Sequence, residues 1–503
     1  MSVIRHPLLA LVLLGMLAFA TVPFFELVWD DRHFLHADSA VARGSLSRLL
    51  TSDWSLEGPR SGYYRPLVTL SLAVESRLSG GSPAVHHTMN VVYHLAAALA
   101  LVWAALRLLG KPTAAWLAGL AFVVHPIHTE SVAWVSGRTD VIATLFFCLA
   151  VGAYARTERV ASAWMLGALA AAGAAFLAKE PAVVLPAVLL AWELTRATPG
   201  AFRIRDAARR LTPVCLLLAG YLLLRRLLLG TMAGPIGDLH ALPDRLATGV
   251  AVIGHYLWLL VVPHPANPDY VLEPLATWGS WAAGGALAAL VGLGAAAGWS
   301  WRYSRLPAFG LAWFLLTVLP SSPMLPVGPV HMAERFLYLP SVAVALGAGW
   351  AGAAALQRAG LNGWRDVGRA REPQALLAGG AVALILLASL ALTQYRTEDW
   401  RDEERLFTRM ATSSPRSWKA ANGLGHVYED RGHLAEAAAE YRRAMTLNPH
   451  AAAPLISLAL VEGRMGLHAE AARHAEAARR LNSDAWRPIA EQAPAAARGE
   501  AKP

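Results

Sequence analysis

The sequence predicts an all-α membrane protein: a polytopic helix bundle that ends in a small helical-repeat domain. Three observations carry this expectation. Of the 503 residues, 55% are hydrophobic, and the mean hydropathy is +0.40. The apolar residues fall in long blocks, several of which reach or approach the ~20 residues needed to cross a bilayer core. From residue 394 onward the chain turns charged, Ala-rich and helical in period, and it repeats every 34 residues.

The apolar blocks predict helices near 7–29, 86–109, 113–127, 139–155, 161–178, 181–195, 211–229, 247–262, 278–299, 306–320, 336–356 and 375–393. The block at 7–29 is long for a signal peptide, and no small-x-small cleavage site precedes the acidic pair after it, so it reads as a first transmembrane helix. The net charge of +9 does not point to nucleic acid, because the arginines cluster in short loops between apolar blocks, the positive-inside pattern. Four such loops mark the cytoplasmic side: Arg156 with Arg159; Arg196, Arg203, Arg205, Arg209 and Arg210; Arg302 with Arg305; and Arg358, Arg365, Arg369 and Arg371. Cys148 and Cys215 both lie in apolar blocks and support neither a disulfide framework nor a Cys-based metal site.

Parity constrains the count. Three apolar blocks separate the loops at 196–210 and 302–305, yet both loops belong on one side, so one block should not cross. The block at 247–262 is the candidate: it is short, contains His255 and ends at Pro263–His264–Pro265. An interfacial or re-entrant piece fits it. About eleven spans remain. The N-terminus is then cytoplasmic, and the 30–85 loop and the C-terminal tail lie outside.

The repeat of the C-terminal part has the tetratricopeptide period. Leu424, Gly425, Gly432, Ala437, Ala444 and Leu447 recur as Leu458, Ala459, Gly466, Ala471, Ala478 and Leu481. Tyr428, Tyr441 and Pro449 fill aromatic and proline positions, and Phe407 with Pro415 mark an earlier half-repeat. The expected organisation is a membrane domain at 1–393 whose external loop carries amphipathic helices at 45–50 and 67–78, a half-repeat connector at 394–415, two repeats at 416–483 and a tail at 484–503. So few repeats need packing against the membrane domain or a partner.

Six polar constellations fall on the external side. Asp30–Asp31 follow the first apolar block, where a carboxylate is available to accept a proton; a solvated helix-end pair is the plainer reading. Arg65, beside Tyr63 and Tyr64, suits bidentate phosphate binding or interfacial snorkelling. His87, Asn90 and His94 share one helical face, for substrate contact or for polar helix packing; with no local carboxylate or Cys, a metal is not expected. The densest run is 125–140, with His125, His128, Glu130, Arg138 and Asp140 close to a bilayer core, where polar groups need partners or a polar ligand. Lys179–Glu180 sit in a tight turn, as an ion pair or as a site. Glu334, Arg335 and Tyr338 open a helix after a Pro-rich loop. Acids, arginines and histidines converging at one membrane face suit an enzyme acting on an anionic, lipid-linked substrate.

These motifs resemble the transmembrane and tetratricopeptide-repeat O-mannosyltransferases (the TMTC family) and, more distantly, the GT-C glycosyltransferases. The segments that carry the resemblance are Trp29–Asp31, Tyr64–Leu67, His87-x-x-Asn90-x-x-x-His94, the HPIHTESVAWVSGRTD run at 125–140, Lys179–Glu180, Pro263 with Asp269–Tyr270, and the 319–341 segment that contains AERFLYLPS. They run in family order from about 24 to 483. The resemblance implies an inverting glycosyltransferase that uses a polyprenyl-phosphate-linked sugar as donor and needs no further cofactor and no metal. It implies Asp30 or Asp31 as general base; Arg65, Arg138, Lys179 and Arg335 on the donor phosphate; and His87, Asn90, His94, His125, His128, Glu130, Asp140, Glu180, Glu334 and Tyr338 as substrate contacts. The acceptor is expected to be a Ser/Thr hydroxyl of an exported protein held by the repeats. The arginine-heavy, lysine-poor composition suits a bacterial inner membrane. Family members carry longer repeat arrays, so the sugar and acceptor are not carried over. Two rivals remain: a glycolipid-directed glycosyltransferase, and a non-catalytic membrane scaffold.

Overall fold

The computed structural model describes residues 6–35, 39–56, 61–196, 203–232, 241–263, 267–272, 277–325, 330–361 and 373–481. The expected tail at 484–503, and His264, Pro265, Arg365, Arg369 and Arg371, lie outside the described residues. All regular structure among the described residues is helical.

Each predicted apolar block contains a helix. The main elements are α1 (Pro7–Ala18), α2 (Pro66–Ser79), α3 (Pro83–Leu108), α4 (Pro112–Val123), α5 (Arg138–Arg156), α6 (Ala163–Ala178), α7 (Leu185–Arg196) and α8 (Ile204–Leu229). There follow α9 (Leu242–Val261), α10 (Trp281–Ser300), α11 (Leu306–Val318), α12 (Ser341–Arg358) and α13 (Pro373–Thr397). Proline stands in the first turn of many of them, where a missing N–H costs nothing. Among the described residues, six helical segments are long and apolar enough to cross a membrane. Their outward faces keep large apolar side chains exposed, such as Leu216 at 67%, Leu377 at 74% and Leu384 at 68%. So much contiguous apolar surface suits lipid and not water.

One expectation is corrected at the start. The first block is not one helix up to Trp29. It stops at Ala18, makes a 3₁₀ turn at Val22–Phe24 around Pro23, and is extended at Phe25. Asp30 and Asp31 therefore do not follow the helix directly. They open a separate short turn, Asp31–Phe34.

Contacts at the helix ends fix the running directions. At the end from which the repeats emerge, the near end, Arg225 Nη2 donates to Gly62 O at 2.5 Å, His128 meets Ser341 Oγ at 2.9 Å, and Arg396 pairs with Glu334. At the far end Lys111 Nζ donates to Gln357 Oε1 at 3.1 Å, and Tyr154 Oη donates to Glu193 at 2.9 Å. Among the described residues α5 and α12 join these ends, from Asp140 to Tyr154 and from Ser341 to Gln357. The helix α9 is placed otherwise. Near its start Arg245 donates to Met324 O at 2.5 Å, and near its finish Leu260 O accepts from His125 Nε2 at 3.1 Å. Both partners belong to the near end, so α9 lies along that end although it is 20 residues long. The expectation of an interfacial or re-entrant piece concerns this same block. Of the loop arginines, Arg196 pairs with Glu193 at 2.8 Å and Arg210 donates to Tyr154 O at 3.2 Å, both at the far end.

The C-terminal part is a run of packed helices: α14 (Glu403–Ser413), α15 (Trp418–Asp430), α16 (Leu434–Leu447), α17 (Ala452–Arg464) and α18 (His468–Arg480). Each packs on the next. The starts of α15 and α17, and of α16 and α18, are 34 residues apart. Gly425 leaves room for the Tyr441 ring, which any Cβ there would strike. The run is tied to the bundle. Glu26 N–H donates to Arg401 O at 3.0 Å, and Ser417 Oγ donates to Asp269 Oδ2 at 2.6 Å.

Candidate active site

The near end gathers the polar constellations from distant parts of the chain. Asp31 is buried, and its carboxylate accepts three hydrogen bonds: from Val135 N at 2.9 Å, Ser136 N at 2.8 Å and Ser136 Oγ at 2.5 Å. Burial pushes its carboxyl up to about 7, although the Ser136 hydroxyl and the two N–H groups pull it down; Asp30 contributes least. Asp31 thus pins its turn to the 135–136 segment. Asp30, in contrast, is exposed. It follows Trp29, whose φ of 57° is in the left-handed region.

Three cations of the predicted phosphate set come together. Arg65 makes two hydrogen bonds to Glu180 Oε2, at 3.0 and 2.9 Å, and its guanidinium lies 4.4 Å from the Tyr63 ring centre. Lys179 Nζ lies 2.5 Å from Asp140 Oδ2. Arg335 pairs with Glu130, and Lys179 and Arg335 approach the same Phe336 ring at 5.5 and 5.0 Å. Burial pushes Lys179 down to about 8 despite Asp140. Burial also opposes the charge of Arg335, and Glu130, Asp140 and Asp30 more than restore it. Burial raises Glu180, but Arg65 and Arg225 reverse this and hold its carboxyl below the usual range. Lys179 and Glu180 therefore do not form the ion pair that their adjacency suggests. Each serves a different partner.

The fourth predicted cation is placed elsewhere. Arg138 is fully buried, and its Nη1 lies 2.7 Å from Glu75 Oε2. Nε donates to Asn90 Oδ1 at 2.7 Å and Nη2 to His86 O at 2.8 Å. Each of its three nitrogens holds a partner inside the bundle, so Arg138 is placed as a buried structural guanidinium. The expectation is corrected for a physical reason: a guanidinium this deep needs a carboxylate at once, and Glu75 supplies it.

Several predicted substrate contacts are packing residues for the same reason. Asn90 Nδ2 donates to Trp134 O at 2.9 Å, and His87 meets Glu26 O at 3.2 Å. His94 bonds Val123 O at 3.0 Å and Tyr338 Oη at 2.6 Å, and all three side chains of the 87–94 face are buried, as is Tyr338. His128 stays inside on Ser341, and His125 holds α9. Burial lowers the His125 ring to about 4, so it is neutral. Glu334 is buried between Arg396, Asn267 N at 3.0 Å and Tyr270 Oη at 2.9 Å. Asp140, Glu130 and Glu180 do reach the site, as the carboxylates that hold its cations.

Sequence reading missed Glu75, Arg225 and Arg396. Arg225 is buried and reaches Glu180 Oε1 at 3.4 Å from within α8. Its signal was available, since a charge inside an apolar block needs a polar partner. Trp29, Trp134 and Trp400 form a second unforeseen feature, a column of indoles with centres 5.8 and 6.1 Å apart.

No family model matches the chain. It is 30% identical over 233 residues to human protein O-mannosyl-transferase TMTC2, covering 42% of this chain and 28% of that protein. It is 26% identical over 493 residues to human TMTC1, covering 86% of this chain and 54% of that protein. The chain thus spans about half, or less, of the length of these curated relatives. Among solved structures it is similar to ArnT from Cupriavidus metallidurans bound to undecaprenyl phosphate, with TM-score 0.44, 15% identity and coverage of 82% of this chain and 80% of that one. It is also similar to the Archaeoglobus fulgidus oligosaccharyltransferase AglB, with TM-score 0.46, 11% identity and coverage of 78% and 55%. By sequence, the chain's curated homologues are the TMTC protein O-mannosyl-transferases, at 25–30% identity.

Proposed function

We propose that the chain is an inverting glycosyltransferase that moves a sugar from a polyprenyl-phosphate donor to a Ser/Thr hydroxyl of an exported protein. The observation that carries this reading is the exposed Asp30 at the face where Arg65, Lys179 and Arg335 converge. The likeness to protein O-mannosyl-transferases supports it. Eleven helices span the membrane and α9 lies along its external face. The N-terminus is cytoplasmic, and the tetratricopeptide repeats, 416–483 after a connector at 394–415, are external. The composition supports a bacterial inner membrane.

Asp30 accepts the acceptor's hydroxyl proton as the oxygen attacks the anomeric carbon. The bond from that carbon to the phosphate oxygen breaks, and polyprenyl phosphate leaves. General-base help of this kind contributes ~10²–10⁴-fold. Charge bookkeeping supports the scheme. Arg65, Lys179, Arg225 and Arg335 face Glu180, Asp140 and Glu130, and Asp30 adds a fourth carboxylate, so the site is balanced before the donor enters. A phosphodiester donor brings one negative charge. In the reaction the departing phosphate gains a second charge while Asp30 loses its own to the proton, so the site's sum stays constant. Cations already fixed by carboxylates need little reorganisation to stabilise that phosphate. No step is routed through a metal.

A groove of about 850 Å³ beside this face supports an acceptor path; Glu26, Arg32, Glu403 and Asp430 line it. The deciding assay is sugar transfer from polyprenyl-phosphate donors in proteoliposomes. Transfer that is abolished in Asp30→Asn supports the reading. A pure, folded wild type that transfers from no such donor overturns it.

A further inference from the structure

We propose that Glu403, the first residue of the C-terminal helices, is a positioning residue for Asp30. This inference rests on the base role given to Asp30 above.

Asp30 sits between two anchors. On its C-terminal side Asp31 is tied to the bundle through Val135 and Ser136. On its N-terminal side Glu403 does the matching work. Its Oε1 accepts from Trp29 N–H at 3.2 Å, and its Oε2 accepts from Arg32 Nη1 at 2.6 Å. One carboxylate therefore clasps the residue just before Asp30 and the residue two after it. The Trp29 backbone needs such a clasp. Its φ of 57° is unfavourable for a residue with a Cβ, so something outside the segment must hold it. Glu403 is suited to hold it. Its side chain is 14% exposed, and Asp402 caps its helix by accepting from Arg405 N at 2.9 Å. The second tie of Arg32, to Asp430 Oδ2 at 2.8 Å, extends the clasp to α15. The Trp29 ring also leans on Phe407, centre to centre 6.3 Å.

The consequence is that the C-terminal helices do more than meet an acceptor. They complete the backbone geometry of the base. A segment held at both ends presents the Asp30 carboxylate at one place, and a misplacement of about 1 Å can cost ~10²-fold in rate.

The test uses the full chain in detergent and three variants. Glu403→Ala removes both contacts. Glu403→Gln keeps an oxygen for Trp29 N–H and loses the charge partner of Arg32. Arg32→Ala removes only the ion pairs. Glu403→Ala should lower kcat by about 10–100-fold with donor KM within about twofold. Glu403→Gln should recover most of that loss, and Arg32→Ala should fall between them. Hydrogen exchange supplies a readout independent of turnover: amides 28–32 should exchange faster in Glu403→Ala and near the wild-type rate in Glu403→Gln. Wild-type kcat and unchanged exchange in Glu403→Ala would sink the proposal while leaving the glycosyltransferase reading intact. Equal losses in the Ala and Gln variants, with KM rising in both, would also sink it, since a general structural role gives that result. Failure of the reading itself differs, because the wild type then transfers nothing while the exchange difference persists.

Discussion

Lys179 Nζ meets Asp140 Oδ2 at 2.5 Å, although Glu180 is the lysine's chain neighbour. The pairing joins the turn after α6 to the first turn of α5, and it leaves Glu180 for Arg65 and Arg225. Burial puts Lys179 at about 8, so its charge should be lost as pH rises past that value. Donor KM is expected to climb between pH 7 and pH 9. Lys179→Arg, which stays charged across that range, should flatten the climb. Steady-state kinetics against pH checks both.

The two aspartates should separate cleanly. Asp30→Asn is exposed and should leave stability within about 0.5 kcal/mol while costing at least ~10²-fold in transfer rate. Asp31→Asn turns an amide toward donors that now meet a carboxylate and should destabilise by about 1–3 kcal/mol. Thermal denaturation beside the transfer assay distinguishes them.

The sign of the Asp31 contribution to stability follows from its raised carboxyl. Its folded value is about 7, against 3.8 when free. The folded state therefore holds the proton more tightly, and the stability so gained is complete below pH 3.8 and is lost as pH rises to about 7. Melting temperature should carry a downward component across that window, and Asp31→Asn should remove it. A variant with an undiminished slope would assign the titration to another group.

Arginine-to-lysine changes should sort by depth. Arg65→Lys and Arg335→Lys keep the charge and lose the planar fork, so donor use should fall with insertion and folding intact. Arg138→Lys abandons donors fixed on Glu75, Asn90 and His86, and should lower folded yield instead. Breaking such a buried pair costs about 3–5 kcal/mol. Detergent-solubilised yield and thermal stability, measured beside activity, check the split.

The placement of α9 is open to chemical labelling. Leu242 and Val261 are 58% and 77% exposed at its two ends. Single cysteines there, in a background without Cys148 and Cys215, should react with an impermeant maleimide from the same membrane side. A cysteine at Arg203 should react from the other side. Labelling of positions 242 and 261 from opposite sides would make α9 a crossing helix.

Much of this fold was legible because bilayer-length apolar runs and arginine placement are local signals. The block at 247–262 was marked by parity together with its shortness, His255 and the proline pair that follows it, and the two ends of α9 contact Met324 and His125. What escaped depended on distance. Glu75 and Arg138 lie in different helices, and nothing in either segment says that the guanidinium turns inward. The 87–94 face showed its polarity in the sequence but not its direction, and it faces packing partners. The break at Pro23 was hidden by the continuity of apolar residues through Phe25. In the site, the residue types were legible and their pairing was not.

The column of Trp29, Trp134 and Trp400 makes the junction optically visible. Its rings come from the turn before the proposed base, from the polar run between α4 and α5, and from the start of the C-terminal helices. Indoles at 5.8 and 6.1 Å, stacked within 28° and 25°, couple their excited states. With 18 tryptophans in the chain, the difference in near-ultraviolet dichroism between wild type and Trp400→Phe isolates this column and is expected to report whether the C-terminal helices are seated.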